Sequence, residues 1–196
     1  EQLNGYRYLK SLGLGYHFYQ GRYLDALGEI LDPSKKTIIH IPNVNSGEAA
    51  VDKYSAVDHI IGTLGDFVEK DRETGIITVK AHDGRLLKLA DLVDDRKTSD
   101  RSLIQAYLRN IKSRDDMDII VALGMAKEGF DWPYCEHVLT IGYRSSMTEV
   151  VQIIGRATRD CEGKTHAQFT NLIAQPDAAD EDVKVSVNNL LKAITL

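Results

Sequence analysis

The chain has 196 residues, of which 43% are hydrophobic and 27% are charged, and its formal net charge at pH 7 is −5. This length and composition are typical of one soluble domain with a hydrophobic core and a small appendage. The negative charge excludes a general electrostatic attraction to nucleic acid, and no apolar run approaches the roughly 18 residues that cross a bilayer.

The start of the chain and its cysteines indicate the cellular context. Glu1 is not a natural initiator, so we expect an excised fragment or a processed product. Nothing at the start resembles a signal peptide. Cys135 and Cys161 lack metal-ligand spacing, and free thiols in a reducing cytoplasm are favoured over a disulfide between them. We therefore expect a cytoplasmic protein without a membrane-spanning segment.

Residues 1–34 predict a helical linker or N-terminal extension. The apolar spacing from Tyr23 to Leu31 is helical. Five of the nine tyrosines lie in this segment: Tyr6, Tyr8, Tyr16, Tyr19 and Tyr23. Aromatic rings of this kind could stack on bases. The favoured interpretation is a linker helix whose tyrosines pack against the main body.

Residues 35–196 are expected to form the main domain, which begins with a short buried strand over Lys36–Ile41. A helix is expected from Ser46. Helical spacing continues to Phe67, and the sequence Ala81-His82-Asp83-Gly84 then predicts a turn between two β-rich segments. We expect a β-hairpin insertion over about 58–97.

The second half alternates strands and helices regularly. A helix is predicted over about Asp100 to Arg114, with Thr98 or Ser99 as its N-terminal cap. Further strands are predicted at 117–123, 137–143 and 166–174, and further helices at 146–159 and 180–194. This alternation predicts an α/β fold with a mostly parallel sheet covered by helices on both faces.

The helix over 146–159 carries a narrow polar stripe. At about 100° per residue, Gln152, Arg156 and Arg159 fall within roughly 60° of one another, and Gly155 borders them. Two arginines one turn apart suit an anion, because the guanidinium fork matches phosphate oxygens. The alternative is a solvated helix face whose arginines pair with nearby acids such as Asp160.

The pattern Gln152-x-x-Gly155-Arg156-x-x-Arg159 resembles motif VI of superfamily 2 helicases. The segment Asp118 to Pro133 resembles motif V of the same family, and the strand at Lys36–Ile41 stands where motif IV is expected. The resemblance covers about residues 35–172 and is weak over 58–97. It implies a RecA-like domain, the second of the two between which the family binds ATP.

The resemblance also implies roles for individual residues. Arg159 is expected to reach the γ-phosphate as an arginine finger, and Arg156 to share that contact or to pair within the interface. Gln152, Gly129 and Asp131 are expected at the nucleotide, with Asp131 near the ribose or holding an arginine. The chain contains no Gly-x-x-x-x-Gly-Lys-Ser/Thr loop and no acidic helicase motif. We therefore expect ATP and Mg²⁺ to be held mainly by an N-terminal RecA-like domain of the same polypeptide, and the isolated chain to be inactive.

Two departures from the family pattern concern the nucleic acid. Leu123 stands where many members have a threonine that contacts the strand, and leucine cannot form that hydrogen bond. Glu128 replaces the arginine common in DEAD-box proteins, which favours restriction-type and DNA-repair relatives. DNA is therefore the expected partner, with RNA as the alternative.

Other chemistry is not indicated by the sequence. Six histidines are scattered without metal-ligand spacing, so no metal site is predicted in this chain. The function expected is that of an ATP-dependent helicase or translocase motor domain. Two alternatives are a RecA-like binding or scaffold module without motor activity and a DNA-translocating subunit of a restriction-type nuclease.

Overall fold

A computed structural model of the chain describes residues 5–42, 53–94, 98–123, 131–142, 147–174 and 188. The strands in these ranges are β1 (Ser11–Tyr19), β2 (Thr37–Ile41), β3 (Gly65–Lys70), β4 (Ile77–Ala81), β5 (Leu86–Asp91), β6 (Ile119–Leu123), β7 (His137–Ile141) and β8 (His166–Ala174). The α-helices are α1 (Tyr23–Ile30), α2 (Lys53–Leu64), α3 (Thr98–Arg109) and α4 (Met147–Ala157). None of the helices in the described ranges is long and apolar enough to cross a membrane.

The strands form one sheet in the order β1-β8-β7-β2-β6-β5-β4-β3. Along this order, the six strands β1, β8, β7, β2, β6 and β5 pair in parallel with their neighbours. Strand β4 pairs antiparallel with both β5 and β3. Every residue of β2 is buried. A parallel strand with a neighbour on each side and helices on both faces has no solvent-exposed side, which explains its run of apolar and β-branched residues.

Helices cover both faces of the sheet. Successive residues of a strand point to opposite faces, and the central strands therefore contribute to two cores. Ile39 and Ile41 pack in one core with residues of α1 and α2. Ile38 packs in the other core with residues of α3 and α4. The expected α/β architecture, mostly parallel and covered on both sides, is confirmed.

The predicted helix in the N-terminal segment is wrong over Ser11–Tyr19. These residues form β1, which pairs in parallel register with all of His166–Ala174. The partner strand lies about 150 positions away, so spacing within the segment does not reveal it. Helical spacing after Tyr23 is confirmed as α1. Packing of tyrosines against the main body is also confirmed, with Tyr19 in one core and Tyr6 partly buried against the other.

The region predicted as a hairpin insertion is part helix and part sheet. Helix α2 continues to Leu64, and Phe67, which was predicted to be helical, lies in β3. The turn before β5 is confirmed: Gly84 has φ of +88 and its N–H donates to Ala81 O at 2.8 Å. Strand β5 also pairs with β6, so the hairpin extends the main sheet directly. The helix start expected at Ser46 lies outside the described residues.

Element ends elsewhere differ slightly from the predictions. Helix α3 ends at Arg109, five residues before the predicted end. A 3-10 turn follows at Arg114–Asp116, and the Asp116 carboxylate accepts the N–H groups of Lys112 and Ser113. Strand β8 has the predicted bounds. The closing helix expected over 180–194 lies outside the described residues, apart from residue 188.

Candidate functional site

Helix α4 presents one apolar and one polar side. Ile153 and Ala157 are fully buried, whereas Gln152 and Gly155 are exposed and Arg156 is half-buried. The predicted polar stripe on this helix is therefore confirmed for Gln152, Gly155 and Arg156. The helix ends at Ala157, two residues earlier than predicted, so Arg159 lies in the segment that follows it.

The polar side of α4 borders a cleft of about 600 Å³. Four residues predicted from the sequence line it: Asp131, Gln152, Arg156 and Arg159. It is also lined by Tyr6, Ile38, Trp132, Gly155, Thr158 and Asp160. Gly129, the fifth predicted site residue, lies outside the described residues. The fold thus brings together residues from the N-terminal segment, the segment before β7, and α4.

Arg159 lies beside an acidic side chain. Its Nε is 3.3 Å from Oδ1 of Asp131, and the two side chains are 61% and 67% exposed. An ion pair this exposed contributes little stability, because water screens both charges. The Arg159 guanidinium therefore remains available to another anion at low cost. The predicted contact between Asp131 and a ribose stays a prediction.

Asp160 is bound by backbone donors. Its carboxylate accepts the N–H groups of Arg7, Tyr8 and Leu9 at 2.7, 3.0 and 2.9 Å. Desolvation raises the pKa of Asp160, but these three hydrogen bonds and the charge of Lys10 outweigh it, so the pKa is lowered. The carboxylate is thus held ionised at neutral pH.

Gly155 and Trp132 mark the inner surface of the cleft. A Cβ at Gly155 would meet no heavy atom within 4 Å, so the space beside it is open. Trp132 is buried and also lines the cleft. Within the described part of the chain its indole Nε1 has no hydrogen-bond partner.

The arrangement suits an anionic ligand. Two guanidinium groups border one open space, and guanidinium presents planar donor pairs that fit phosphate oxygens. The open space at Gly155 allows a ligand or a second protein surface to approach the helix backbone. These features fit a phosphate-bearing ligand such as a nucleotide.

The N-terminal segment contributes to this cleft through residues that the sequence does not indicate. Tyr6 and the backbone donors at 7–9 lie about 150 positions from Asp160. Backbone N–H groups carry no sequence signal, because every residue except proline has one. The sequence indicates Asp160 only as an alternative partner for the arginines, whereas its carboxylate accepts the N–H groups of Arg7, Tyr8 and Leu9.

The family described as "Helicase conserved C-terminal domain" matches residues 24–161. A Bacillus subtilis protein named "Putative ATP-dependent helicase YeeB" is 63% identical over 196 residues, which are 100% of this chain and 32% of that protein. UvrABC system protein B of Anaplasma phagocytophilum is 35% identical over 83 residues, or 40% of this chain and 12% of that protein. The chain thus spans about a third or less of these relatives.

Two solved structures share the fold. The C-terminal part of the Fun30 ATPase domain aligns with a TM-score of 0.51 at 15% identity, covering 83% of this chain and 44% of that one. The ATP-dependent Type ISP restriction-modification enzyme LlaBIII aligns with a TM-score of 0.53 at 14% identity, covering 98% of this chain and 14% of that one. The family match over residues 24–161 identifies the chain as a member of the helicase conserved C-terminal domain family, and the structural likeness shows a RecA-like α/β fold.

Proposed function

We propose that the chain is the C-terminal motor domain of an ATP-dependent DNA helicase or translocase. In this proposal ATP binds between this domain and an N-terminal RecA-like domain of the same polypeptide, and Arg156 and Arg159 contact its phosphates. The observation that carries the proposal is the cleft in which both arginines, Gln152 and Asp131 meet.

Arg159 is the proposed arginine finger. Its guanidinium is 61% exposed and pairs with Asp131 at 3.3 Å, so a phosphate can replace or share that partner. Negative charge accumulates on the transferred phosphoryl group, and an arginine placed there increases the rate of transfer roughly 10³- to 10⁵-fold. Arg156, one turn earlier and half-buried, is proposed to share the contact or to orient it.

The remaining roles follow the family pattern. Gln152 contacts the nucleotide or its water, and Gly129 and Asp131 lie at the nucleotide edge. Mg²⁺ is held mainly by the N-terminal domain and supplies charge neutralisation at the phosphates. The isolated chain hydrolyses no ATP in this proposal, because the phosphate-binding loop and the acidic motif belong to the N-terminal domain. Free thiols at Cys135 and Cys161 support a cytoplasmic location.

DNA is the proposed partner. Glu128 differs from the arginine of DEAD-box proteins, and the chain is similar to UvrABC system protein B. The net charge of −5 gives no general attraction to a phosphate backbone, so binding depends on local contacts. Leu123 offers no hydroxyl to the strand, and backbone amides are the proposed donors instead.

The test is Arg159→Ala in the complete polypeptide. We expect the DNA-stimulated ATPase rate to fall about 10³-fold, since the finger acts on charge present in the transition state. Arg22→Ala is the matched control, because Arg22 is also an exposed arginine paired with an aspartate, Asp25, at 2.9 Å. That variant keeps the wild-type rate.

An ATPase rate within twofold of wild type for Arg159→Ala, with DNA present, would contradict the motor proposal. It would favour the alternative of a RecA-like scaffold module. Comparing DNA with RNA of the same sequence as the stimulating strand tests the partner independently, and stimulation by RNA alone would reverse the DNA assignment.

A further inference from the structure

The N-terminal segment holds the residue that directly follows Arg159. The Asp160 carboxylate accepts three consecutive backbone N–H groups, from Arg7 through Oδ2 and from Tyr8 and Leu9 through Oδ1. We call this set of contacts the clasp. Three charge-assisted hydrogen bonds on one carboxylate fix both of its oxygens, and bonds of this type are roughly twice as strong as neutral ones.

The donors of the clasp are themselves fixed to the domain. Leu9 is fully buried in the core that contains Ile153 of α4. The N–H groups of Lys10 and Ser11 both donate to Thr165 O, at 2.9 and 3.3 Å, at the start of the pairing between β1 and β8. The clasp is therefore anchored to the sheet.

The position of Arg159 depends on supports on both sides. On its N-terminal side α4 ends at Ala157, and the last helical bond runs from Thr158 N to Ile154 O at 3.0 Å. Arg159 lies beyond that bond. On its C-terminal side the next residue, Asp160, is held by the clasp. The backbone of Arg159 is thus supported by the helix from one direction and by the clasp from the other.

We propose that Asp160 is a positioning residue for ATP hydrolysis, which holds Arg159 against the cleft through the clasp. This inference rests on the proposed function. Arginine fingers act only when the guanidinium meets the transferred phosphoryl group, and a displacement of about 1 Å can cost 10²-fold in rate. Asp160 acts through the backbone and not by touching the nucleotide.

The test is a double-mutant cycle in the complete polypeptide, with Asp160→Ala made alone and together with Arg159→Ala. Asp160→Ala alone is expected to lower kcat of the DNA-stimulated ATPase roughly 10- to 100-fold. In the Arg159→Ala background it is expected to add less than about twofold, because the residue it positions is gone. Slow rates are followed with labelled ATP over hours.

Asp71→Ala is the matched control. The Asp71 carboxylate also accepts consecutive backbone N–H groups, from Glu73 at 2.7 Å and Thr74 at 3.2 Å, in the turn between β3 and β4. It is not among the residues that line the cleft. Losing this similar contact is expected to leave kcat within twofold of wild type.

Two further measurements separate positioning from folding. ADP titration is expected to give one site per polypeptide for Asp160→Ala, with the KM for ATP changed less than about threefold. Hydrogen exchange at the amides of residues 7–9 is expected to accelerate, since those donors have lost their acceptor. If Asp160→Ala is not folded, Asp160→Asn, which keeps one acceptor oxygen, replaces it and is expected to give a smaller loss.

The outcomes are distinct. Equal losses from Asp160→Ala in both backgrounds, or no loss in the wild-type background, would overturn the positioning role while leaving the finger intact. No loss from Arg159→Ala alone would instead overturn the proposed function. A loss confined to the wild-type background supports the inference.

Discussion

Two groups of charged side chains in this domain differ in how completely the fold satisfies them. The first, the edge cluster, consists of Lys36, Asp118, Arg114 and Glu136, at the amino-terminal edge of the central strands. Lys36 Nζ lies 2.7 Å from Asp118 Oδ1 with the side chains 8% and 17% exposed, and Arg114 donates to Glu136 at 2.6 Å. In the cleft, by contrast, Arg159 Nε lies 3.3 Å from Asp131 Oδ1, and both side chains are more than half exposed.

The difference separates buried ion pairs that stabilise the fold from an exposed ion pair that contributes little to stability. Glu136 also accepts the N–H of Lys36, and Asp118 also accepts the N–H of Lys88, so both carboxylates of the edge cluster serve side chains and backbone together. Buried charges need such complete pairing, because an unpaired one is costly. The exposed arginine in the cleft carries no such cost and can exchange its partner.

The sharpest test of this contrast is Asp118→Asn. It removes the charge opposite the buried Lys36 and is expected to lower the free energy of unfolding by about 3 to 5 kcal/mol. Asp131→Asn is the matched control, since it removes a charge of the same kind from the exposed pair and is expected to change stability by less than about 0.5 kcal/mol. Urea unfolding of the 196-residue chain measures both. Similar losses of unfolding free energy for the two variants would show that the buried and the exposed ion pairs do not differ in their contribution to stability.

A second test uses the pH dependence of the same edge of the sheet. Burial of His137 lowers its pKa from 6.5 to about 4, with His166 and Lys35 adding to the shift and Asp32 opposing it. The Nε2 atom lies 3.0 Å from Thr170 Oγ1. The folded state therefore favours the neutral ring.

The sign of the effect follows from this shift. Below pH 6.5 the unfolded chain binds a proton at His137 that the folded chain does not, so stability is full above that pH and falls towards pH 4. At pH 5 the expected loss is about 2 kcal/mol. His137→Gln is expected to reduce the change in the urea unfolding midpoint between pH 7 and pH 5. The same pH dependence as in the wild type would show that His137 does not cause the loss of stability.

Strong local periodicity was sufficient to predict the centre of the fold. The run of apolar residues in β6 and the amphipathic pattern of α4 were each visible in one short window, and both are confirmed. Helix geometry alone places Gln152 and Arg156 on one surface of α4. Arg159 lies beyond the end of the helix, yet it lines the same cleft. That Asp131 lies near these residues could be predicted only from the resemblance to the helicase motifs.

The predictions of secondary structure that were wrong concern segments whose conformation depends on contacts with other strands. Strand β1 contains Gly13 and Gly15 among its aromatic residues, and its strand character comes from its pairing with β8. Phe67 continues the apolar spacing of α2, yet the helix ends at Leu64 because Gly65 takes φ of +156. A Cβ at Gly65 would meet the backbone of β4 within 3 Å. The conformation of such a glycine is set by its partner strand.

The smallest expected effect on stability, and the one that best separates stability from function, is that of Gly155→Ala. A Cβ at this exposed helical position would meet nothing within 4 Å, and alanine is favoured over glycine in a helix by about 1 kcal/mol. The free energy of unfolding of the 196-residue chain is therefore expected to rise by about 0.5 to 1 kcal/mol. The DNA-stimulated ATPase rate of the complete polypeptide is expected to fall severalfold, because the methyl group occupies the space through which the nucleotide or the other domain approaches α4.

Gly62→Ala is the control for this substitution, since Gly62 is also exposed in a helix, α2, with nothing within 4 Å of its added Cβ. It is expected to stabilise the chain by a similar amount and to leave the ATPase rate unchanged. An active Gly155→Ala enzyme would mean that the open space beside α4 is ordinary solvent-exposed surface. A stabilised but slower enzyme would mean that the space is filled only in the assembled motor, since the free domain gains stability from the same methyl group.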